Sequence, residues 1–136
     1  MAMWLLKTEP DKYSYADLEH DGETMWDGVS QPHALLNLRK IQAGDVALIY
    51  HTGDERAITG IALVTRGYYV NPETDDPKLA VCDVQAQERL AQPVTLKEIK
   101  AQSELKDWDL VRLARLSVVA VNELQWRIVR EIAEMK

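Results

Sequence analysis

The stretch that organises the predicted fold spans residues 26–33 and reads Trp-Asp-Gly-Val-Ser-Gln-Pro-His. Trp26 supplies a broad flat face and one N–H donor, and Gly28 lacks a side chain, so a ligand or another backbone segment can approach closely. Pro32 suits the first turn of a helix. The stretch therefore predicts an aromatic on a loop held by a helix start, where a flat ring could stack. Taken alone, the stretch slightly favours the alternative that Trp26 is simply an aromatic side chain of the core or of a lid.

Outward from this stretch, hydrophobic patterning predicts strands alternating with short helices. Two capping boxes, Ser14 with Asp17 and Thr95 with Glu98, mark helix starts. The predicted strands are 3–7, 46–51, 57–69, 79–89 and 116–121, and the longer helices are 32–42 and the segment after residue 122. Strands interspersed with short helices indicate a mixed sheet or small barrel with peripheral helices, an α+β fold.

Length and composition indicate one domain with a substantial core. The chain has 136 residues, 46% of them hydrophobic, which suits a single domain over 1–136 that needs no metal or disulfide to fold. The one cysteine, Cys82, lies in an apolar run, so we expect a buried, inert thiol and a reducing compartment. The short apolar start lacks the features of a signal peptide, and no run reaches the length of a membrane span. We expect a cytoplasmic protein, nuclear if eukaryotic, with no membrane partner.

The charge balance restricts the kinds of nucleic-acid binding that are possible. The formal net charge is −6, which argues against broad binding driven by many phosphate contacts. It does not exclude recognition of a single base in a pocket with a locally basic rim.

Signatures of catalysis, metal binding and phosphate binding are missing from the sequence. There is no Gly-x-Ser-x-Gly elbow, no Cys pair, no histidine pair at ligand spacing and no phosphate loop. We therefore expect no catalytic residue, metal or cofactor. A binding pocket is better supported, because flat side chains stand near strand ends or loops and Lys7 and Arg115 could supply charge. Stacking contributes roughly 1–3 kcal/mol per base. The flat groups are Trp4, Trp26, Tyr50 and His51, although Tyr50 also fits a core position.

Several blocks together carry a family signal over nearly the whole chain. They are residues 4–10 (WLLKTEP), 13–18 (YSYADL), 26–29 (WDGV), 44–45 (GD), 50–52 (YHT), 93–96 (PVTL) and 115–118 (RLSV), followed by Val121 and Trp126. In this order they resemble the EVE domain of the thymocyte nuclear protein group and its bacterial homologues.

The resemblance implies a PUA-like fold, a curved mixed sheet or open barrel of about five to six strands with short peripheral helices. EVE domains are related to YTH domains, which read N6-methyladenine in RNA. The resemblance also implies an aromatic-lined pocket for a modified base. By position in the family, Trp26 would stack on the base, and Ser14, Ser117 or the backbone near Gly28 would hydrogen-bond its edge. Lys7 or Arg115 would meet a phosphate. The full implied ligand-binding set is Lys7, Ser14, Trp26, Asp27, Gly28, Val29, Tyr50, His51, Arg115 and Ser117.

Two departures from the family pattern bear on the ligand. After residue 29 the family usually continues Arg-Asn-(Tyr/His)-Gln-Ala, whereas this chain reads Ser-Gln-Pro-His-Ala over residues 30–34. The second departure is at Lys78-Leu79, where family members commonly have an aromatic residue. If either position lines the pocket, the ligand differs from that of the usual member or binds more weakly, with Gln31 and His33 as possible substitutes for the missing donor.

Three functional hypotheses follow. The leading one is a non-catalytic module, expected to be monomeric, that recognises a modified nucleobase in nucleic acid, a modified cytosine in DNA or a methylated base in RNA. The second is an enzyme acting on a modified nucleotide, with His51 as general base near Asp27. The third is a protein-interaction domain, which the acidic balance and the C-terminal helix would suit.

Overall fold

The computed structural model describes residues 1–135, so Lys136, the last residue of the predicted domain 1–136, lies outside the described residues. The strands are β1 (Met3–Thr8), β2 (Glu23–Trp26), β3 (Val46–His51), β4 (Ala57–Val70), β5 (Ala80–Thr95) and β6 (Val118–Val121). The helices are α1 (Tyr15–Asp21), α2 (Pro32–Leu38), α3 (Leu96–Lys100), α4 (Asp109–Arg112) and α5 (Glu123–Met135), with a 3₁₀ turn at Ser103–Leu105.

The strands form one mixed sheet in the order β2-β5-β4-β3-β1-β6. β1 runs parallel to β3 and every other pair is antiparallel. Four register shifts interrupt the long β4–β5 pair, the first between Ile58 and Gly60 and the last between Arg66 and Tyr69. Such bulges bend and twist strands, so the sheet curls while β2 and β6 remain as its two edges. The expected α+β mixed sheet with short helices is confirmed.

Local capping signals are confirmed where their spacing predicts them. Ser14 and Asp17 form a capping box at α1, and Thr95 and Glu98 form one at α3. At the start of α5 the Asn122 and Gln125 side chains each accept a 2.8 Å hydrogen bond from the other's backbone N–H. These contacts lie within one helical turn, so three-residue spacing is enough to predict them.

The expected positions of three elements are wrong. β2 places Trp26 at the end of an edge strand and not on a loop, because residues 23–26 pair with β5. α2 ends at Leu38 rather than near residue 42, since the Gln42 N–H donates to the Asp45 carboxylate at 2.9 Å instead of continuing the helix. β5 continues to Thr95, past the expected end at residue 89, because β4 pairs along it as far as Ala57.

The core lies between the sheet and the helices that pack against it. α5 and α1 contact β5, while α2 contacts β6 and β5. Cys82 is fully buried, and burial raises the pKa of its thiol to about 12, so the expected buried thiol is confirmed. Across residues 1–135, no helix combines the length and apolar character that crossing a membrane requires.

Candidate ligand-binding site

A cavity of about 800 Å³ draws residues from both edges of the sheet. This volume falls within the range of about 300–1,000 Å³ that is typical of small-molecule sites. The walls come from the end of β1, from β2 and the turn after it, and from the loop before β6. The lining residues are Lys7, Thr8, Glu9, Lys12, Tyr13, Thr24, Met25, Trp26, Asp27, Gly28, Gln31, Thr52, Ala114, Arg115 and Ser117. We call this space the edge cavity.

Six residues of the sequence-predicted set meet in the edge cavity, although they come from opposite ends of the chain. They are Lys7, Trp26, Asp27, Gly28, Arg115 and Ser117. Two hydrogen bonds from Lys7 hold the distant segment in place: its backbone N–H donates to the Ser117 carbonyl at 3.0 Å and its Nζ donates to the Ala114 carbonyl at 2.9 Å. The wall formed by residues 114–117 is therefore positioned directly by β1.

Four predicted residues lie outside this lining: Ser14, Val29 and Tyr50, described first, and His51. The Ser14 Oγ accepts the Asp17 N–H at 3.1 Å and serves as the helix cap. Val29 is buried in the core just behind the turn. Tyr50 is buried on β3, with its ring centroid 5.4 Å from the Lys7 Nζ, so it stands behind a cavity residue. The structure thus separates residues that the sequence groups together.

His51 also lies outside the lining, and both of its ring nitrogens are engaged in the fold. Nε2 accepts the Tyr15 N–H at 3.0 Å, which requires this nitrogen to be unprotonated, and Nδ1 lies 2.8 Å from the Glu55 carboxylate. The geometry therefore assigns the proton to Nδ1, which donates to Glu55. His51 links β3 to the start of α1 and presents no free nitrogen to the edge cavity.

Tyr13 and Trp26 form an aromatic corner of the cavity. Their ring centroids are 6.2 Å apart and the ring planes meet at 84°. Trp26 is only 6% exposed, so most of its ring packs in the core. No described residue accepts its indole N–H, and no buried polar side-chain atom in residues 1–135 lacks a partner. That N–H is therefore not sealed in the core, and Trp26, which lines the cavity, offers a donor more than a full stacking face.

Tyr13 belongs to the second quoted block, but the sequence alone does not assign it to the site. Its ring is partly exposed, and its hydroxyl donates to the Asp21 carboxylate at 2.9 Å. Burial raises the pKa of Tyr13. Sequence reasoning also missed Thr24 and Ala114, which carry no signal of their own, because only strand pairing and chain folding bring them to this space.

The edge cavity is locally more basic than the chain as a whole. Lys7, Lys12 and Arg115 line it against two acids, Glu9 and Asp27. Lys12 pairs with Glu9 at 3.4 Å, and within the described residues Arg115 makes no ion pair. Burial lowers the pKa of Lys7. Among residues 1–135, no group of three or more His, Cys, Asp or Glu side chains is arranged to hold a metal ion.

Of the two departures from the family pattern, one adjoins the site and the other does not. Gln31 lines the edge cavity, but Ser30 does not. Lys78 and Leu79 also lie outside the lining, and the Lys78 carbonyl accepts a hydrogen bond from the Arg39 side chain at 2.8 Å. Only the first departure therefore adjoins the cavity.

Comparison with known proteins identifies relatives that align with nearly the whole chain. The EVE domain model matches residues 2–132. Human thymocyte nuclear protein 1 is 27% identical over 165 residues, covering 96% of this chain and 73% of the human protein. A protein from Rhodopseudomonas palustris is 33% identical with a TM-score of 0.92, covering 99% of this chain and 94% of that one. Human THYN1 in complex with 5-methylcytosine containing DNA is 26% identical with a TM-score of 0.92, covering 100% and 99%. The expected PUA-like fold is thereby confirmed.

Proposed function

The chain belongs to the EVE domain family, and from this premise we propose that it is a non-catalytic module that binds a modified nucleobase in nucleic acid. A modified cytosine in DNA is the preferred ligand, in keeping with the relative solved with 5-methylcytosine containing DNA. The observation that carries the proposal is the edge cavity, where an aromatic corner and unpaired polar groups stand beside an excess of cations. Residues 1–136 act as one domain and as a monomer, in the cytoplasm or in the nucleus of a eukaryote.

The aromatic corner supports binding of a planar base. Because Tyr13 and Trp26 are perpendicular, a base stacked on one ring meets the edge of the other. Trp26 is largely covered, so we assign the stacking face to Tyr13 and the indole N–H donor to Trp26. Met25 also lines the cavity, and its polarizable thioether suits contact with an added methyl group.

Asp27 supports a preference for a base that carries an exocyclic amino group. It is exposed, lines the cavity and has no hydrogen-bond or ion-pair partner within the described residues. A carboxylate accepts from the N4 amino group of cytosine, which thymine lacks. The Ser117 hydroxyl and the Trp26 N–H would donate to the ring acceptors of the same base, since both residues line the cavity.

The cations support a small number of phosphate contacts. Lys7 and Arg115 lie on the side of the cavity formed by β1 and the loop before β6, where they would meet the backbone of a strand whose base is turned into the site. The remaining predicted residues support the walls from behind: Ser14 caps α1, Val29 fills the core, Tyr50 stands behind Lys7, and His51 anchors α1.

A titration of labelled oligonucleotides tests the proposal. Single-stranded and duplex probes carry cytosine, 5-methylcytosine, 5-hydroxymethylcytosine, adenine or N6-methyladenine, and fluorescence anisotropy is measured at low and moderate salt. We expect a preference for a modified cytosine that persists as salt rises, because counterion release does not distinguish a methyl group. Uniform weak binding that disappears with salt would contradict the proposal.

Two matched variants link that binding to the cavity. Trp26→Phe removes the indole N–H but keeps most of the buried ring, and we expect it to weaken binding of the modified base. Trp126→Phe makes the same chemical change on α5, away from the cavity lining, and should leave binding unchanged. The absence of catalysis is supported by His51, whose two ring nitrogens are both engaged in the fold. Mass spectrometry after incubation with modified nucleosides tests it.

A further inference from the structure

We propose that one of the two nucleotides next to the modified base occupies a second cavity beside Arg115, and that the nucleotide on the other side of the base gains no contact with the protein. This inference rests on the proposed function and adds to it a direction for the strand and a second binding site. It follows from two cavities that share different residues with the edge cavity and differ in chemistry.

The second cavity has a volume of about 560 Å³ and shares Gln31, Ala114 and Arg115 with the edge cavity. We call it the flanking cavity. Its remaining walls are His33 and the apolar side chains of Pro32, Leu113 and Leu116. Because three residues line both spaces, a ligand that fills one can continue into the other without leaving the protein surface.

The chemistry of the flanking cavity fits a nucleotide. The apolar walls can cover the face of a base, while Gln31 and His33 offer hydrogen-bonding groups toward its edge. Arg115 is exposed and free of ion pairs within the described chain, and it lines both cavities, as a contact to the phosphate between two nucleotides requires. Lys7 holds the neighbouring Ala114 carbonyl, so this shared wall is already positioned.

A third cavity, which shares other residues with the edge cavity, has the opposite chemistry. It measures about 660 Å³, shares Glu9 and Thr52 with the edge cavity, and also includes Asp11, Asp54 and Glu55. Lys12 pairs with Glu9 and His51 with Glu55, but Asp11 and Asp54 have no partner among the described residues. No Lys or Arg of the described chain lines this space. A phosphate there would be repelled, so the strand is directed toward Arg115.

Three small ligands test the inference. They are 5-methyldeoxycytidine alone and two dinucleotides, in which one thymidine is joined through a phosphodiester to its 5′ side or to its 3′ side. Binding to the full ¹⁵N-labelled chain is followed through the indole N–H signals. We expect one dinucleotide to bind about tenfold more tightly than the nucleoside, as one added stacked base and its phosphate contact allow. The other dinucleotide should show no gain.

A pair of histidine variants assigns the gain to the flanking cavity. His33→Glu places a carboxylate in that cavity, and Glu is favourable in the first turn of α2, so the fold should be retained. We expect it to abolish the dinucleotide gain and leave nucleoside affinity unchanged, because His33 does not line the edge cavity and so does not replace the missing donor there. His20→Glu makes the same charge change on α1, outside every cavity described above, and should keep the gain.

The possible outcomes separate this inference from the proposed function. Equal gains for both dinucleotides, no gain for either, or a gain that survives His33→Glu would overturn the inference while the base-binding proposal stands. Failure of the wild-type chain to bind the modified nucleoside would overturn the proposed function, and the inference with it.

Discussion

The Nζ of Lys7 donates a 2.9 Å hydrogen bond to the backbone carbonyl of Ala114, which lies 107 residues further along the chain. The same lysine donates its backbone N–H to Ser117. Lys7 is half-buried, with its ammonium group 5.4 Å from the centroid of the Tyr50 ring. One residue of β1 therefore lines the edge cavity and also positions the opposite wall.

Replacing Lys7 by Met should change binding and stability in different directions. We expect nucleic-acid affinity to fall about tenfold, because a charge-assisted phosphate contact is lost. Urea unfolding should show stability that is unchanged or higher, since burial disfavours the ammonium group and lowers the pKa of Lys7, and the exposed Ala114 carbonyl can accept from water instead. The exposed Lys97→Met, outside the edge cavity, is the matched control and should leave affinity unaltered.

The lowered pKa of Lys7 also predicts a pH dependence. Between that pKa and the ordinary lysine value of about 10.4, the unfolded chain holds a proton that the folded chain has released. The contribution of Lys7 to stability therefore rises with pH through this window. Comparing wild type with Lys7→Met isolates it, because the other titrating groups are common to both. A difference in unfolding free energy that does not change with pH would contradict this account.

Removing the Asp45 carboxylate should destabilise the fold strongly. This buried group accepts hydrogen bonds from the Trp4 indole N–H at 3.0 Å and from the backbone N–H groups of Ala2 and Gln42 at 2.9 Å. Asp45→Ala leaves all three donors without that acceptor, and we expect urea unfolding to show a loss of about 3 kcal/mol or more. Asp45→Asn, which keeps one carbonyl oxygen, should lose less. The exposed Asp11→Ala should change stability little, and a similarly small loss at position 45 would refute the prediction.

A larger residue at position 60 should lower the free energy of unfolding while Tyr15 is present. A Cβ at position 60 would stand 2.4 Å from the Cε1 and Cζ atoms of the Tyr15 ring. That ring is buried and tied by its hydroxyl to the Ile61 carbonyl at 2.7 Å. We expect Gly60→Ala to cost roughly 1–3 kcal/mol of unfolding free energy. In a double-mutant cycle, Tyr15→Leu should reduce that cost, and strictly additive losses would show that the two residues do not clash.

Cys82 should resist thiol reagents in the folded protein. Its thiol is fully buried with a pKa of about 12, so native protein lacks both access and thiolate. The modification rate should rise in step with the unfolded fraction as urea is added. Rapid modification in native buffer, at the rate of a free thiol, would contradict the burial.

The same thiol predicts a fall in stability at high pH. An unfolded thiol ionises near pH 8.5, about where free cysteine does, while the folded thiol keeps its proton. Unfolding therefore releases a proton in the window up to about pH 12, and this contribution to stability declines as pH rises through it. The stability advantage of wild type over Cys82→Ala, measured by urea unfolding, should shrink across that window.

Features set by neighbouring residues were predictable from the sequence. The pairing of Ser14 with Asp17 and of Thr95 with Glu98 needs only a three-residue spacing. The apolar run around Cys82 predicts its burial, and the ordered family blocks predict the mixed sheet. The capping and burial signals depend on side chains within a few positions of one another, where backbone geometry leaves few alternatives, and each family block is likewise a short run of residues.

Features set by distant partners were not predictable. Residues 23–26 are a strand only because β5 pairs with them, Trp26 lying opposite Cys82. Tyr13 joins Trp26 only when α1 and β2 come together, and Ser14 and His51 are drawn away from the cavity by contacts with Asp17, Tyr15 and Glu55.

The sequence by itself therefore determined the family, the fold class and most of the residue types that the site would use. The tertiary structure decided which of them meet, because hydrogen bonds such as the one from Lys7 to Ala114 join segments more than one hundred residues apart. A contact of that kind depends on how the whole sheet curls, and no local pattern of residues encodes it.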